Sequence, residues 1–275
     1  MTIQEALLSA FSTLQRAHIS SVHLDAEVLL ASVLRKPRSY LLAEQSRKLT
    51  ATQLSRFRAC IRKRAQGMPV AYLTGSKEFY GLDFFVTKHV LIPRPDTESL
   101  IDVVIAQTPR DTDIRIADIG TGSGCIAVTL AKYLPSAIIT AVDISRPALG
   151  VARKNARRHE VLSHIRFMQG NLLASFGQER FDMIIANLPY LTPSQVARVP
   201  FEPRKALDGG RLGLELIDRL LEQAPRHLSE LGKVVLEIDP GQTKSLSFCV
   251  DQQMPGKKIS FHKDLSQKDR IAIIS

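Results

Sequence analysis

The chain reads as an α/β protein: a largely parallel sheet covered by helices on both faces, behind an N-terminal helical bundle. Three observations predict this. From residue 114 onward, short β-branched runs alternate with helical segments, the pattern of successive βαβ units. A glycine-rich turn, Asp118-Ile119-Gly120-Thr121-Gly122-Ser123-Gly124, separates the first of these runs from a helix. Residues 1–75, by contrast, carry apolar residues at helical spacing throughout.

Within residues 1–75, Thr2 and Glu5 form a capping box ahead of Ile3, Ala6, Leu7, Ala10, Phe11 and Leu14. A second helix carries Leu24, Leu29, Leu30, Val33 and Leu34 and stops at Lys36, before Pro37. Further helices fit Ser39 to Lys48 and Ala51 to Gln66, with Gly67 as C-cap and Pro69 beyond it. Residues 76–93 alternate and are aromatic around Gly81, which predicts a β-hairpin linker. It leads to Leu91-Ile92-Pro93-Arg94-Pro95-Asp96-Thr97-Glu98, a proline-stiffened loop in which Asp96 or Thr97 can cap the next helix. Arg94 and its flanking prolines can also form part of a site wall. In the catalytic region, 94–275, strands fit Ile114–Ile119, Ile138–Asp143, Ile165–Gln169, Phe181–Asn187, Lys233–Ile238, Lys257–His262 and Arg270–Ser275. In such a sheet ligands bind at the carboxyl ends of the strands, where both chemically informative turns lie.

The first is the glycine turn, whose glycines permit positive φ and close approach of a ligand. The strand Ile138 to Val142 ends in Asp143, about 20 residues on, where a carboxylate suits ribose hydroxyls. The second turn, Asn187-Leu188-Pro189-Tyr190, ends the apolar run Met183 to Ala186. The Asn187 amide oxygen and the Leu188 carbonyl offer two acceptors, and Tyr190 offers a flat wall. That set fits a planar –NH2 group. With Asp118 placed to take an amino group, the two turns together favour S-adenosylmethionine over NAD or FAD. An amide nitrogen is a poor nucleophile, so Asn187 and Leu188 would hold both N–H bonds and aim the lone pair, with Pro189 fixing the turn and Tyr190 packing on the amide plane.

Composition narrows the class. Hydrophobic residues make up 44%, and no apolar run nears the roughly 20 residues of a membrane span. The start Met1-Thr2-Ile3-Gln4-Glu5 has no basic flank and no small-residue cleavage site, so no secretory signal is expected; Cys60, Cys125 and Cys249 suggest neither disulfides nor a zinc site, and a reducing cytoplasm is the expectation. The seven histidines are scattered, and no metal is expected. Of the net charge of +10, residues 1–75 hold +7, from 11 Lys/Arg against 4 Asp/Glu. The run Arg56, Arg58, Arg62, Lys63, Arg64 is its densest part and favours an anionic partner, RNA or a protein bound near RNA.

These residues resemble the HemK/PrmC family of peptide chain release factor glutamine methyltransferases. The resemblance runs through Pro69, Tyr72, Gly75, Phe79 and Gly81, the Pro93-Arg94-Pro95 loop, Asp118 to Gly124, Asp143 and Asn187 to Tyr190. It continues over Glu202-Pro203, Ala206-Leu207, Gly209-Gly210, Leu236-Glu237, Lys263-Asp264-Leu265 and Asp269-Arg270. It implies a class I, Rossmann-like methyltransferase domain with a seven-stranded sheet, and a bundle that docks the substrate. The substrate implied is the glutamine of the Gly-Gly-Gln motif in class 1 release factors, with the enzyme acting as a monomer and forming no stable nucleic-acid complex. Asp118, Gly120, Thr121, Gly122, Ser123, Gly124, Asp143, Asn171, Leu172 and Asn187 would bind S-adenosylmethionine. Asn187, Leu188, Pro189, Tyr190 and Arg94 would meet the glutamine.

Three positions depart from the family pattern. Leu188 replaces a proline, and its carbonyl can still accept. Asn171 stands where an acidic residue is common, and Leu172 replaces an aromatic, which puts adenine on an aliphatic surface. Asn-Leu-Pro-Tyr also resembles the turn of ribosomal RNA adenine N6-methyltransferases. In that family, however, the helical domain follows the catalytic one, whereas here it comes first.

Overall fold

The structure, a computed structural model, describes residues 1–108 and 112–275. It divides into two compact units, Met1–Ser76 and Lys77–Ser275.

In the first unit, α1 (Ile3–Arg16) begins with the expected capping box: the Thr2 N–H donates to Glu5 Oε2 at 2.8 Å, and the Glu5 N–H to Thr2 Oγ1 at 3.2 Å. It is followed by α2 (Val22–Leu34), α3 (Arg38–Ala43), α4 (Ala51–Ala65) and α5 (Val70–Thr74). Ile3, Leu14, Leu29, Leu30, Leu41, Phe57 and Ile61 are buried together as its core. The helix expected to run to Lys48 stops at Ala43, and the segment after it pairs with the start of α1. The Gln45 and Arg47 carbonyls accept from the Gln4 and Ile3 N–H groups, which have no partner within α1. Pro69 lies beyond the end of α4, as expected, and is at the same time the N-cap of α5, a short helix absent from the sequence expectation. Arg64 leaves the expected basic face. It pairs with Asp25 at 2.6 Å and reaches the Gly67 and Met68 carbonyls, while Arg56, Arg58, Arg62 and Lys63 stay exposed.

The second unit opens with the hairpin of β1 (Ser76–Phe79) and β2 (Leu82–Phe85), joined through Tyr80 and Gly81, both at positive φ as a type I′ turn requires. The segment expected as a linker is part of this unit's packing, since Phe79 and Phe84 are buried against Leu100, Ile101, Ile126 and Leu130. Then come α6 (Glu98–Ala106), β3 (Arg115–Ile119), α7 (Cys125–Tyr133), β4 (Ile138–Asp143), α8 (Arg146–Arg158), β5 (Ile165–Gln169) and β6 (Phe181–Ala186). After them follow α9 (Pro193–Val196), α10 (Glu215–His227), β7 (Leu228–Glu237), α11 (Thr243–Gln253), β8 (Ile259–Lys263) and β9 (Asp269–Ile274).

The sheet has seven strands in the order β5-β4-β3-β6-β7-β9-β8. Pairing is parallel from β5 to β7, and β9 runs antiparallel to both β7 and β8. Successive residues serve opposite faces: Ile116, Met183, Ile185 and Val235 join one core, Ala117, Ile184, Ala186 and Val234 the other. Register does the rest. Ile119 lies opposite Val142 and Ala186, and Ala186 opposite Leu236. Gly120, Asp143, Asn187 and Glu237 therefore reach the same edge of the sheet. Among the described residues, no helix is long and apolar enough to cross a membrane.

Candidate active site

The glycine turn is strapped to its neighbour strand. The Gly120 and Thr121 N–H groups both donate to the Val142 carbonyl, at 2.8 and 2.9 Å. The Gly122 N–H donates to Asp143 Oδ2 at 2.9 Å, and the Ser145 N–H to Oδ1 at 2.7 Å. Each Asp143 oxygen thus takes one backbone donor and keeps capacity for another, which suits a vicinal diol. Burial pushes the Asp143 carboxyl up, against the pull of these two amides. Gly124 serves packing: a Cβ there would lie 3.0 Å from the Ala152 Cβ of α8. Behind the turn, the buried Asn155 side chain donates to the carbonyls of Ser123 (2.8 Å) and Phe85 (2.9 Å) and accepts the Phe85 N–H at 2.7 Å. One side chain of α8 thereby ties the hairpin to the glycine turn.

Asp118 does not stand where an amino group would reach it. It is fully buried beneath the turn and outside the cavity wall, with Oδ2 accepting the Thr121 hydroxyl at 2.6 Å and Oδ1 unpartnered among the described residues. Desolvation pushes its carboxyl up to about 7. Its contact is with the turn, through Thr121.

The second turn is held from three sides. Asn187 Nδ2 donates to Thr97 Oγ1 at 3.0 Å and to Glu237 Oε2 at 2.8 Å. Thr97 passes its own proton to Glu237 Oε2 at 2.6 Å, so toward Asn187 the hydroxyl can only accept. The Asn187 oxygen must then face the other way. The Tyr190 hydroxyl donates to Glu237 Oε1 at 3.1 Å, which draws it away from the cavity wall. Below, Leu191 exchanges backbone bonds with Leu207 and Gly209, and Gly209 and Gly213 fit where no Cβ would: one on Gly209 would fall 2.5 Å from the Pro189 carbonyl. Leu188 contributes more than a carbonyl, because its side chain is buried in the core, with a methyl over Gly120.

A loop anchor completes the frame. The buried Glu202 carboxylate pairs with Arg94 and accepts the Ile92 N–H at 3.1 Å, joining the Pro-Arg-Pro loop to the Glu-Pro segment. These elements enclose a cavity of about 1000 Å3, of a size for a cofactor plus one side chain. Among the sequence-selected residues, Arg94, Gly120, Thr121, Gly122, Ser123, Asp143, Asn171, Leu172, Asn187, Leu188 and Pro189 line it, while Asp118, Gly124 and Tyr190 do not. Leu172 sits in the left-handed region at φ +54, an unusual conformation for a branched residue at a site wall. Thr97, Glu237, Glu202 and Asn155 were not assigned to the site machinery from sequence. For Glu237 a cue existed, since a carboxylate ends the apolar run Val234-Val235-Leu236 just as Asn187 ends its own strand.

The chain resembles known proteins over most of its length. Residues 5–75 match the model of the PrmC N-terminal domain, and residues 96–244 that of the methyltransferase small domain. A release factor glutamine methyltransferase from Koribacter versatilis is 43% identical over 86% of this chain and 86% of its own length. A bifunctional methyltransferase from Rickettsia conorii is 33% identical over the whole chain, which spans 58% of that protein. A methyltransferase from Pyrococcus furiosus has the same fold over 71% of this chain and 89% of its own, with a TM-score of 0.53 at 23% identity.

Proposed function

This chain belongs to the release factor glutamine methyltransferase family, and from that membership we propose that it methylates the side-chain amide of the glutamine in the Gly-Gly-Gln motif of class 1 peptide chain release factors. The observation that carries the reading is the Asn187 amide, whose two donors are committed to Thr97 and Glu237 while its oxygen is left for a substrate at the cavity wall.

The residues present fit S-adenosylmethionine: the paired oxygens of Asp143 for the ribose, Leu172 and Asn171 for the adenine, and the turn of Gly120 to Ser123 for the methionine end. When bound, this cofactor supplies a methyl group on a sulfonium and keeps the electron pair of the broken C–S bond as a neutral thioether. The protein's task is to aim a weak nucleophile. Asn187 Oδ1 and the Leu188 carbonyl accept the two N–H bonds of the substrate amide, turning its lone pair toward the methyl group. Both acceptors face a nitrogen that gains positive charge as the N–C bond forms, so they act most strongly in the transition state. One N–H proton then leaves to solvent. The unit Met1–Ser76, with its exposed Arg56, Arg58, Arg62 and Lys63, serves as the docking module, and the enzyme works in the cytoplasm as a monomer.

The test is mass spectrometry of a purified release factor after incubation with the full chain and S-adenosylmethionine. A single methyl on the Gly-Gly-Gln glutamine, lost in Asn187→Ala with cofactor binding intact, supports the reading. Turnover retained by Asn187→Ala would sink the clamp, and transfer to naked ribosomal RNA in place of the factor would sink the substrate assignment.

A further inference from the structure

Glu237 ends β7 beside the Asn187 end of β6, and it is 1% exposed. Burying a carboxylate is costly unless hydrogen bonds and paired charges compensate it. Here it collects three donors: the Thr97 hydroxyl and Asn187 Nδ2 on Oε2, and the Tyr190 hydroxyl on Oε1. The other titratable groups near it are Arg270 on β9, Asp96 in the loop before α6, and the neutral Cys125 thiol at the start of α7. Arg270 is itself bound to Asp96 at 3.1 Å and to Asp264 at 3.4 Å.

An ionised carboxylate accepts and cannot donate. It therefore forces the –NH2 of Asn187 inward and the amide oxygen outward, the orientation a substrate –NH2 group needs. A protonated Glu237 could donate to Asn187 and turn the amide over, which would present donors to a donor. We propose that Glu237 is a positioning residue for methyl transfer, fixing Asn187 with its oxygen toward the substrate and directing negative charge, through that amide, at the nitrogen that becomes positive. This rests on the reading of Asn187 as the clamp.

Glu237→Gln separates the two contributions. A glutamine oxygen can take the place of Oε2, and its –NH2 group can meet Tyr190 as an acceptor, so the hydrogen-bond frame survives while the charge and the titration vanish. Burial holds the Glu237 carboxyl above the ordinary carboxylate range. Single-turnover methylation by the wild-type chain should therefore decline as pH falls through a limb set above that range. The variant should bind S-adenosylhomocysteine with unchanged affinity, transfer roughly 100-fold more slowly, and lose the acid limb, since a lost electrostatic partner of a reacting group costs on that scale. Wild-type rate with the limb intact in Glu237→Gln, while Asn187→Ala is inactive, overturns this assignment and leaves the clamp standing. An active Asn187→Ala overturns the clamp itself. Should Glu237→Gln not fold, the wild-type profile still decides, because a flat rate from neutral pH down to the ordinary carboxylate range overturns the proposal.

Discussion

Replacing Gly209 by alanine tests whether the position of the Asn-Leu-Pro-Tyr turn, and not merely its composition, sets the rate. An added Cβ would lie 2.5 Å from the Pro189 carbonyl oxygen, 2.8 Å from the Tyr190 Cα and 2.9 Å from the Gly213 Cα, where ordinary contact begins at 3.4 Å. All three neighbours are backbone, so the turn must move by about 0.9 Å to restore contact distance to Pro189. A displacement of about 1 Å in a positioning element costs on the order of 100-fold in rate, or about 2.7 kcal/mol of barrier. Overpacking of this kind also destabilises by about 1–3 kcal/mol. The glycine turn at 120–124 is untouched, so calorimetry should find S-adenosylhomocysteine affinity within about threefold of wild type, less than about 0.7 kcal/mol. The assay is single-turnover methylation of a release factor at saturating cofactor, with Gly150→Ala as the control. Gly150 lies on α8, where an added Cβ would meet nothing within 4 Å. Alanine there should stabilise by roughly 0.5–1 kcal/mol without changing the rate. A wild-type rate for Gly209→Ala would refute the claim that turn position is limiting.

Asp143→Ala removes a diol acceptor and the partner of two backbone amides, so cofactor binding should weaken by about 1–3 kcal/mol in calorimetry, and an unchanged affinity would contradict that role. Reversing Arg58, Arg62 and Lys63 to glutamate should slow association with the release factor mainly at low salt, whereas Arg64→Glu should instead unfold the first unit, losing on the order of 3 kcal/mol as the Asp25 pair breaks; stopped-flow and thermal melting distinguish them. With its carboxyl raised to about 7 from 3.8, Asp118 makes the folded state hold more protons than the unfolded chain between those values. Stability of the ligand-free protein should then fall as pH rises through that window, by about 1.4 kcal/mol per unit at most, and Asp118→Asn should flatten the slope in melts run against pH.

Local chemistry made much of this molecule legible in its sequence. The Thr2–Glu5 capping box, the strand ends at Asp143 and Asn187, and the glycine turn all depend on neighbours within a few residues, and they lie where the patterns placed them. What stayed hidden depends on register. Thr97 reads locally as a helix cap, yet its hydroxyl goes to Glu237, 140 positions away. Tyr190 reads as an exposed ring at a turn, but the same carboxylate captures its hydroxyl. Arg64 belongs by spacing to a basic face, until Asp25 on another helix claims it. In each case a buried carboxylate overrode the local reading, and no pattern in the chain announces which donors such a group will collect.

The methyl of Leu188 that lies over Gly120 puts the two turns in direct contact. If the Leu188 carbonyl holds the substrate as proposed, a ligand that shifted the glycine turn would press on that residue, and occupancy at one end would bias affinity at the other. Such coupling is reciprocal: whatever factor the cofactor lends to release-factor binding, the release factor must return to the cofactor. Departure of the used cofactor would then loosen the grip on the methylated product, giving turnover an order that neither turn could impose alone.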